Sequence, residues 1–276
     1  MTAMPSATLA SPTNPRIKAV ARLRDRRERD STGLTVVDGA REVRRALDSG
    51  VEVVEAFVCE PLLAGEDARA ALDILATAHI PVTTTTETAF AKIAFGDRAE
   101  GLLAVVRAPS RRLDDLALPD DPLLIVVEGV EKPGNVGAVL RSADGAGADA
   151  LIAASPRTDL VNPNAIRASA GTIFSIPVAE AATPDVQAWL RGRDVRIVAA
   201  HVEAERLYTD ADLTGSIALA LGSETDGLTD AWDATDIESV RLPMHGVADS
   251  LNVSVSAAVL LYEARRQRDR HPQRPD

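Results

Sequence analysis

Residues 219–256 decide the fold of this chain, and they read LALGSETDGLTDAWDATDIESVRLPMHGVADSLNVSVS. Two apolar runs, 217–221 and 239–242, each stop at a cluster of Gly, Pro or Ser, and residues 250–252 then open a helical stretch. The pattern predicts two strand ends and one helix start. Backbone N–H and C=O groups at such breaks lack ladder partners, so they are free to hold a ligand.

An alternation of strands and helices surrounds this stretch and predicts a parallel α/β sheet. The run 123–127 is continuous and apolar, as in a strand that is buried on both faces. The expected strands are 123–127, 150–153, 195–200, 217–221 and 239–242, with a short extended piece at 174–178. The expected helices are 136–145, 164–170, 183–191 and 253–268.

The N-terminal part of the chain predicts a smaller α/β unit. Residues 14–31 predict a basic helix, and the further expected elements are helices 40–49 and 62–78 and strands 35–37, 51–59, 82–86 and 102–106. The start, 1–13, is mostly Ala, Ser, Thr and Pro and predicts disorder. The Pro-containing, charged segment 109–121 predicts a linker. The expected domains are therefore 14–108 and 122–276.

Charge is distributed unevenly along the chain. The net charge is −11, yet residues 16–29 carry seven Arg or Lys against two acids, and residues 265–276 carry five Arg against two acids. A basic arm on an acidic body can bind a polyanion such as a nucleic acid, or it can be a solvated helix face. Charge alone leaves both interpretations open.

Several familiar functions are excluded by missing signatures. The sequence has no G-x-x-x-x-G-K-[ST], no G-x-G-x-x-G and no G-x-S-x-G, so it predicts no phosphate loop, ordinary dinucleotide site or serine-hydrolase elbow. Its four His show no metal-ligand spacing and Cys59 is its only Cys, so we expect no metal. No apolar run approaches the roughly 20 residues of a membrane span, and the N-terminus does not resemble a signal peptide. We therefore expect a cytoplasmic protein.

Residues 131–149, which read EKPGNVGAVLRSADGAGAD, place one Arg on a face of small residues. Asn135 is expected to cap a helix, and on that helix Arg141 shares a face with Gly137 and Gly145. A guanidinium on such a face can reach a phosphate or a carboxylate without steric competition. The alternative is a surface Arg beside a tight helix–helix contact.

Four other polar residues have two interpretations each. Glu224, at a strand end, can bind a hydroxyl, an amine or Arg141, or it can be an exposed loop acid. Ser250 and Asn252 are most simply helix N-cap residues, although their side chains can also bind a ligand. Arg167 either contacts an RNA phosphate or has no such role.

Three stretches together resemble a known family of RNA-modifying enzymes. PGNVGAVLRSADGAGAD, LALGSETDGL and RLPMHGVADSLNVSVSAAVLLYE look like the three ordered motifs of the SpoU (TrmH) family. Members of this family are RNA 2′-O-ribose methyltransferases that use S-adenosylmethionine. The N-terminal unit resembles the ribosomal-protein-like substrate-binding domain of its longer members. The chain is most similar to the ribosomal RNA enzymes of the thiostrepton- and avilamycin-resistance type, and it departs from the second motif at Thr225, where Gly is frequent.

The resemblance implies a SPOUT domain, which is a parallel sheet with a deep trefoil knot, and a homodimer with its active site near the dimer interface. The loops of the knot would hold S-adenosylmethionine through Ala200, Leu221, Gly222, Glu224, Leu242, Met244 and Leu251. The implied catalytic residues are Arg141, Asn135, Glu224, Ser250 and Asn252. The basic arm and the later Arg predict RNA-binding residues, namely Arg16, Lys18, Arg22, Arg26, Arg27 and Arg167.

The predicted function is S-adenosylmethionine-dependent 2′-O-ribose methylation of one nucleotide in large-subunit (23S) ribosomal RNA, with a role in antibiotic resistance. One alternative is a transfer RNA 2′-O-methyltransferase. Another is a non-catalytic RNA-binding module of the same fold, which would have lost Arg141 or the motif loops, and neither is lost. The expected partners are ribosomal RNA and a second copy of the chain, with no metal and no membrane.

Overall fold

The computed structural model describes residues 8–95 and 100–270. They form two compact units, which we call the first unit (Met1–Pro109 with Val161–Ser175) and the second unit (Ser110–Leu160 with Ile176–Asp276).

Helices and strands alternate along most of the described chain, which confirms the α/β class. The helices are α1 (Pro15–Arg22), α2 (Arg26–Thr32), α3 (Ala40–Asp48), α4 (Glu66–Thr77), α5 (Glu87–Ile93), α6 (Pro133–Ala146), α7 (Pro163–Ala168), α8 (Thr183–Arg191) and α9 (Val253–Arg270). The strands are β1 (Leu34–Asp38), β2 (Val53–Val58), β3 (Val82–Thr84), β4 (Leu102–Arg107), β5 (Leu123–Glu128), β6 (Ala150–Ala154), β7 (Val178–Ala181), β8 (Arg196–Ala200), β9 (Ile217–Leu221) and β10 (Ile237–Val240). The sequence interpretation missed α5 and placed β10 two residues too late, and it placed the extended piece 174–178 four residues before β7.

The segment Val161–Ser175 packs with the first unit, although the expected domain 122–276 contained it. Thr35 Oγ1 donates a hydrogen bond to the Val161 carbonyl at 2.7 Å. Arg45 Nη1 donates to the Ala170 carbonyl, also at 2.7 Å. The boundary by contacts therefore differs from the boundary that composition suggested, because composition does not register a returning segment.

The sheet of the first unit is small and mixed. Its strand order is β1-β4-β2-β3, in which β4 is antiparallel to both β1 and β2, and β3 is parallel to β2. Fully buried Phe57, Phe90 and Leu103 pack with Ile17 of α1 in the core. Burying each of these side chains contributes about 1.5–3 kcal/mol, which anchors the basic helix α1 to the unit.

The single basic helix expected over 14–31 is wrong. The structure has two short helices, because the chain leaves the helical path at Leu23 and the Asp25 side chain accepts a hydrogen bond from the Arg27 N–H at 2.9 Å. Asp at this position is a favoured N-cap, so it starts a new helix rather than continuing the old one. The buried face of α1, with Ile17 and Val20, agrees with the predicted spacing.

The predicted disordered start, 1–13, is ordered from residue 8 onward, and residues 1–7 lie outside the described residues. Leu9 lies beside β3 as an extra parallel bridge to Thr85. The Leu9 N–H donates to the Thr84 carbonyl at 2.9 Å, and the Thr86 N–H donates to the Leu9 carbonyl at 3.2 Å. These two bonds satisfy backbone groups that β3 would otherwise present at the sheet edge.

The sheet of the second unit is parallel throughout its six strands, in the order β10-β8-β9-β5-β6-β7. The central strands β5 and β9 are buried along their whole length, as their continuous apolar sequences predict. Helix α8 covers one face through Val186 and Leu190, which pack against β5, β6 and β8. Helices α6 and α9 pack on each other, and α9 packs on β9 and β5. The trefoil knot that the resemblance implies stays a prediction.

Candidate active site

A cavity of about 360 Å³ lies where β8, β9 and β10 end. Because these strands are parallel, their carboxyl ends meet at one edge of the sheet. The loops after β9 and β10 and the first turn of α9 complete the wall. All seven residues that were predicted to bind the cofactor line this cavity, namely Ala200, Leu221, Gly222, Glu224, Leu242, Met244 and Leu251.

The cavity wall combines apolar side chains with carboxylates. Leu221 and Val240 are buried strand residues, whereas Glu224, Asp226 and Asp249 are exposed loop residues. Apolar walls accept a flat or aliphatic group, and carboxylates favour a positive charge nearby. A ligand with both an apolar surface and a positive charge therefore fits this wall.

The loop 222–229 is closed on itself at the mouth of the cavity. Ser223 and Gly227 exchange two backbone hydrogen bonds, each 3.1 Å long. The Ser223 hydroxyl also accepts from the Asp226 N–H at 3.0 Å. Gly222 has no room for a side chain, since an added Cβ would lie 1.8 Å from the Gly227 carbonyl carbon. The loop closes although Thr225 stands where the related motif often has Gly.

Asn135 and Asn252 bring the first and third motifs together. The Asn252 Nδ2 donates to the Asn135 Oδ1 at 3.4 Å. The expectation that Asn135 caps α6 is wrong, because the helix begins two residues earlier at Pro133 and Lys132 is its N-cap. Among the described atoms, Asn135 Nδ2 is buried without a hydrogen-bond partner.

Asn252 has the simpler structural role that its sequence position predicted. Its Oδ1 accepts from the Ser254 N–H at 2.9 Å and from the Ser254 hydroxyl at 2.6 Å, at the start of α9. It therefore contacts Asn135 and starts α9 with the same amide group. Ser250 lines the cavity and is exposed.

Arg141 projects from α6 and is exposed. Within the described residues its guanidinium forms no hydrogen bond or ion pair, and the expected alternative of a Glu224–Arg141 pair does not occur. The small-residue face around it has a second use, since a Cβ at Gly145 would lie 2.8 Å from the Tyr262 hydroxyl of α9. The two interpretations of this face therefore coexist: tight helix packing at Gly145 and an unpaired cation at Arg141.

Among the cavity-lining residues that sequence reasoning missed as site residues, three have titratable side chains. His201 follows β8, Asp226 lies in the loop after β9, and Asp249 precedes Ser250. Each follows a predicted strand or precedes the predicted last helix, so position relative to the strand ends was the available signal. The sequence alone could not distinguish these residues from other polar loop residues, because most polar side chains in loops are simply exposed to solvent.

The arginines predicted to bind RNA are mostly paired within the first unit. Arg16 contacts Glu55 at 2.5 Å, Arg22 contacts Glu28 at 3.6 Å and Arg26 contacts Asp30 at 3.5 Å. These arginines are half-exposed or more. Lys18 and Arg27 are exposed as well.

Arg167 lies in a different setting from the other predicted RNA contacts. Its guanidinium contacts Asp38 at 3.3 Å, donates to the Phe95 carbonyl at 3.0 Å and lies 3.5 Å from Glu100. The Asp38 carboxylate is almost fully buried, and burial raises its pKa to about 6 against the lowering effects of the Phe95 N–H and Arg167. The positive charge of Arg167 thus stabilises the charged form of Asp38, a buried acid of the first unit.

The described residues hold no cluster of three or more His, Cys, Asp or Glu that could bind a metal ion. Within the same ranges, no helix has the length and apolar character that crossing a bilayer requires. The cavity suits S-adenosylmethionine by its size, its apolar walls and its acidic residues, and Gly222 provides the close backbone approach that a side chain would block.

Comparison with known proteins assigns the two parts of the chain to known families. Residues 122–262 match the SpoU rRNA Methylase family, and residues 14–104 match the MRM3-like substrate binding domain. A 23S rRNA (uridine(2479)-2′-O)-methyltransferase of Streptomyces viridochromogenes is 35% identical over 60% of this chain and 60% of that protein. The chain therefore spans less than two thirds of that enzyme's length in the alignment.

Solved structures of the SPOUT type extend the likeness to nearly the whole chain. A crystal structure of an RNA 2′-O ribose methyltransferase is 42% identical, with a TM-score of 0.84, over 95% of this chain and 99% of that one. The SpoU methyltransferase AviRb of Streptomyces viridochromogenes, in complex with AdoMet, is 29% identical with a TM-score of 0.84, over 93% and 98%. The fold and site thus define a SPOUT methyltransferase domain joined to a substrate-binding domain. The chain belongs to the SpoU rRNA methylase family.

Proposed function

We propose that this chain methylates the 2′-hydroxyl of one ribose in 23S ribosomal RNA with S-adenosylmethionine as methyl donor. The observation that carries the proposal is the convergence of the three motifs: two line one cavity, and the Asn135–Asn252 contact joins the first motif to them. The AdoMet complex of AviRb and the 23S rRNA activity of the uridine-specific relative support this choice of cofactor and substrate.

The cavity would bind the cofactor between apolar walls and acidic loops. When bound, S-adenosylmethionine supplies a methyl group on a positively charged sulfur. Leu221, Leu242 and Leu251 would contact its apolar surface, and the backbone at Gly222 would approach it closely. Glu224 would balance the positive charge.

Arg141 would act on the ribose. A 2′-hydroxyl is a weak nucleophile, and its proton must leave as the bond to the methyl carbon forms. A guanidinium stays protonated, with a pKa above about 12, so it cannot serve as a simple base. Arg141 would instead orient the hydroxyl and stabilise the alkoxide charge that develops on it. Asn135, Ser250 and Asn252 would orient Arg141, the ribose or the cofactor.

RNA affinity would come from the first unit. Arg16, Lys18, Arg22, Arg26 and Arg27 give α1 and α2 an exposed basic surface, and surface pairs such as Arg22–Glu28 can exchange a carboxylate for a phosphate. The match to an MRM3-like substrate binding domain supports this division of roles. Ribosomal RNA as substrate would place the protein in the cytoplasm.

A second copy of the chain would cover an apolar surface on the second unit. Leu251, Val255 and Tyr262 are large apolar side chains that are 38%, 47% and 54% exposed. Val255 and Tyr262 are seven residues apart, so they lie on one face of α9. Large apolar side chains that are exposed on one helix face are typical of an interface. Sedimentation of the purified chain would test the dimer directly.

The likeness to AviRb supports a role in antibiotic resistance as a narrower proposal. Growth of a sensitive host that expresses the chain, measured against ribosome-targeting antibiotics, would test it. Unchanged inhibitory concentrations with a methylated 23S rRNA would leave the methylation proposal standing and remove the resistance role.

The first experiment is transfer of a tritiated methyl group from S-adenosylmethionine to unmodified 23S rRNA and, separately, to bulk transfer RNA. We expect label in 23S rRNA alone, and we expect nuclease digestion to yield one 2′-O-methylated nucleoside. Label in transfer RNA alone would favour the transfer RNA alternative. Cofactor binding by calorimetry without label in either RNA would favour the non-catalytic module.

A further inference from the structure

Glu128 is a buried carboxylate at the carboxyl end of β5, beside the strand β9 that leads into the cavity loop. It is 3% exposed. Its Oε2 accepts a hydrogen bond from the Thr229 N–H at 2.8 Å. Its Oε1 accepts from the Thr229 hydroxyl at 3.1 Å and from the Thr183 hydroxyl at 2.5 Å. Three donors therefore converge on one buried acid that is not part of the cavity wall.

The carboxylate fixes the direction of a longer hydrogen-bond chain. The Thr183 and Ser155 hydroxyl oxygens are 3.0 Å apart, and the Ser155 hydroxyl accepts from the Thr183 N–H at 3.0 Å. The Thr183 hydroxyl donates its proton to Glu128, so that proton is not available to Ser155. The Ser155 hydroxyl must then donate to Thr183. Glu128 thereby orders Ser155, which follows β6, Thr183 at the start of α8, and Thr229 of the cavity loop.

Thr229 is the point at which the cavity loop rejoins the body of the second unit. The other end of the loop is held because Leu221 is in β9. Between these ends the Ser223–Gly227 pair closes the loop on itself, so its two ends fix where the loop lies. The residues 222–228 of this loop all line the cavity. The two Thr229 hydrogen bonds to Glu128 therefore set the position of one whole cavity wall.

We propose that Glu128 is a positioning residue for the cofactor: through Thr229 it holds the loop 222–229 in the geometry that binds S-adenosylmethionine. The proposal rests on the proposed function of the cavity. It differs from a general role in stability, because it concerns the loop rather than the sheet.

The chain offers a matched control at the opposite end of the same strand. Asp149 Oδ2 accepts the Leu123 N–H at 2.8 Å, at the amino end of β5 and away from the cavity loops. Asp149→Asn and Glu128→Gln therefore each replace a carboxyl group that accepts a hydrogen bond from a backbone N–H. The two hydrogen bonds have the same length, 2.8 Å. A role in sheet stability alone would affect both variants alike.

The test is calorimetric titration of S-adenosylmethionine into the full chain, with thermal unfolding recorded for each variant. We expect Glu128→Gln to weaken binding about tenfold, since an amide has one acceptor oxygen where Glu128 accepts hydrogen bonds at both of its oxygens, and Asp149→Asn to leave binding within about twofold. KM for S-adenosylmethionine should rise with Glu128→Gln by a larger factor than kcat falls. Equal weakening of binding by the two variants, or wild-type binding by Glu128→Gln, would overturn the proposal.

A second pair of variants keeps the test decisive where Glu128→Gln fails to fold. Thr229→Val removes the hydroxyl bond and keeps the N–H bond, whereas Thr229→Ser keeps both. We expect about threefold weaker binding for the first and wild-type binding for the second. Identical affinities for the two would contradict the proposal. Failure of the wild-type chain to bind S-adenosylmethionine would instead overturn the proposed function on which it rests.

Discussion

The arginines of this chain occupy two contrasting settings. In the first unit, Arg16, Arg22 and Arg26 each contact a carboxylate of the same unit. In the second unit, Arg141 is exposed and has no partner among the described residues. A paired arginine must exchange its partner before it binds RNA, whereas an unpaired one presents its full charge at once. The number of basic residues in a segment therefore does not measure the positive charge that the segment offers to RNA.

The pairs in the first unit also differ among themselves. The contacts of Arg22 and Arg26 are 3.6 and 3.5 Å long and lie on the surface, where such pairs contribute about 0–1 kcal/mol. A phosphate can replace those carboxylates at little cost. The Arg167–Asp38 contact is different, because Asp38 is buried and would be left without its cation. Arg167 is therefore the predicted RNA contact least able to reach RNA.

The largest effect should come from the unpaired arginine. Arg141→Ala should lower kcat by about 100- to 1000-fold, because it removes a preorganised charge next to the developing alkoxide. Cofactor affinity should stay within about twofold, since Arg141 does not line the cavity. Single-turnover methyl transfer and calorimetry measure the two quantities.

Arg112→Ala is the control for this variant, because Arg112 is exposed and its guanidinium, within the part of the chain that the structure describes, contacts only Asp114, at 3.9 Å. A loss of cofactor affinity as large as the loss of activity would contradict the separation of roles between Arg141 and the cavity.

The next effect concerns the pH dependence of the buried acid. Asp38 has a pKa of about 6 in the folded chain against 3.8 as its ordinary value, so between these values the folded state holds the extra proton. Stability therefore falls as pH rises through this window, and a shift of this size corresponds to about 3 kcal/mol. The groups that face Asp38 are Glu42 and Glu100, which raise its pKa, and Arg167, which lowers it.

We expect the wild-type chain to lose up to about 3 kcal/mol of unfolding free energy relative to Asp38→Asn between pH 4 and pH 7. Urea unfolding followed by circular dichroism measures this difference. Tryptophan fluorescence would not, because both Trp residues, Trp189 and Trp232, lie in the second unit. A difference that is constant with pH would show that Asp38 titrates normally.

A third effect separates the structural arginine from the RNA-binding ones. Arg167→Met should lower the unfolding free energy by about 2 kcal/mol at pH 7, because it removes the cation from a buried carboxylate. The loss should be smaller at pH 5, where Asp38 is protonated in both proteins. RNA affinity of the folded variant, measured by filter binding, should be unchanged. A variant with normal stability and weakened RNA binding would assign Arg167 to the RNA instead.

The smallest effect should come from the paired surface arginines. Reversal of charge at Arg22, Arg26 and Arg27 should weaken 23S rRNA binding about tenfold and reduce the dependence of affinity on salt. Filter binding between low and moderate salt measures both. Reversal at Arg191 and Arg196, which lie in the second unit with acidic neighbours, is the control. An unchanged salt dependence would exclude α1 and α2 as the RNA-binding surface.

Much of the fold was predictable because it is encoded locally. The buried runs 123–127 and 217–221 identified the central parallel strands, and the breaks at Gly222 and Pro243 located the cavity loops. All seven predicted cofactor-binding residues line one cavity, although those positions came from the family resemblance rather than from periodicity. Their part in binding S-adenosylmethionine stays a prediction.

The features that sequence could not predict depend on distant parts of the chain. Asp25 caps α2 because Leu23 and Ile17 must be buried, and a basic run alone gives no sign of that break. Leu9 is ordered by backbone bonds to β3, although its neighbours look disordered. Glu128 looks like the last residue of an apolar strand, and only Thr183 and Thr229, far along the chain, give it a role.

The position of β9 between β8 and β5 has a consequence for synthesis. A growing chain can pair β5, β6 and β7 with one another as soon as they have left the ribosome. Strand β8 pairs with none of these three, because its neighbours in the sheet are β9 and β10. Strand β8 joins the sheet of β5, β6 and β7 only when β9 (217–221) has been synthesised, because β9 pairs with β5 on one side and with β8 on the other. Contacts between residues this far apart in sequence form slowly. Until then the edges of β5 and β8 remain open, so we expect this protein to need protection from aggregation late, rather than early, in its synthesis.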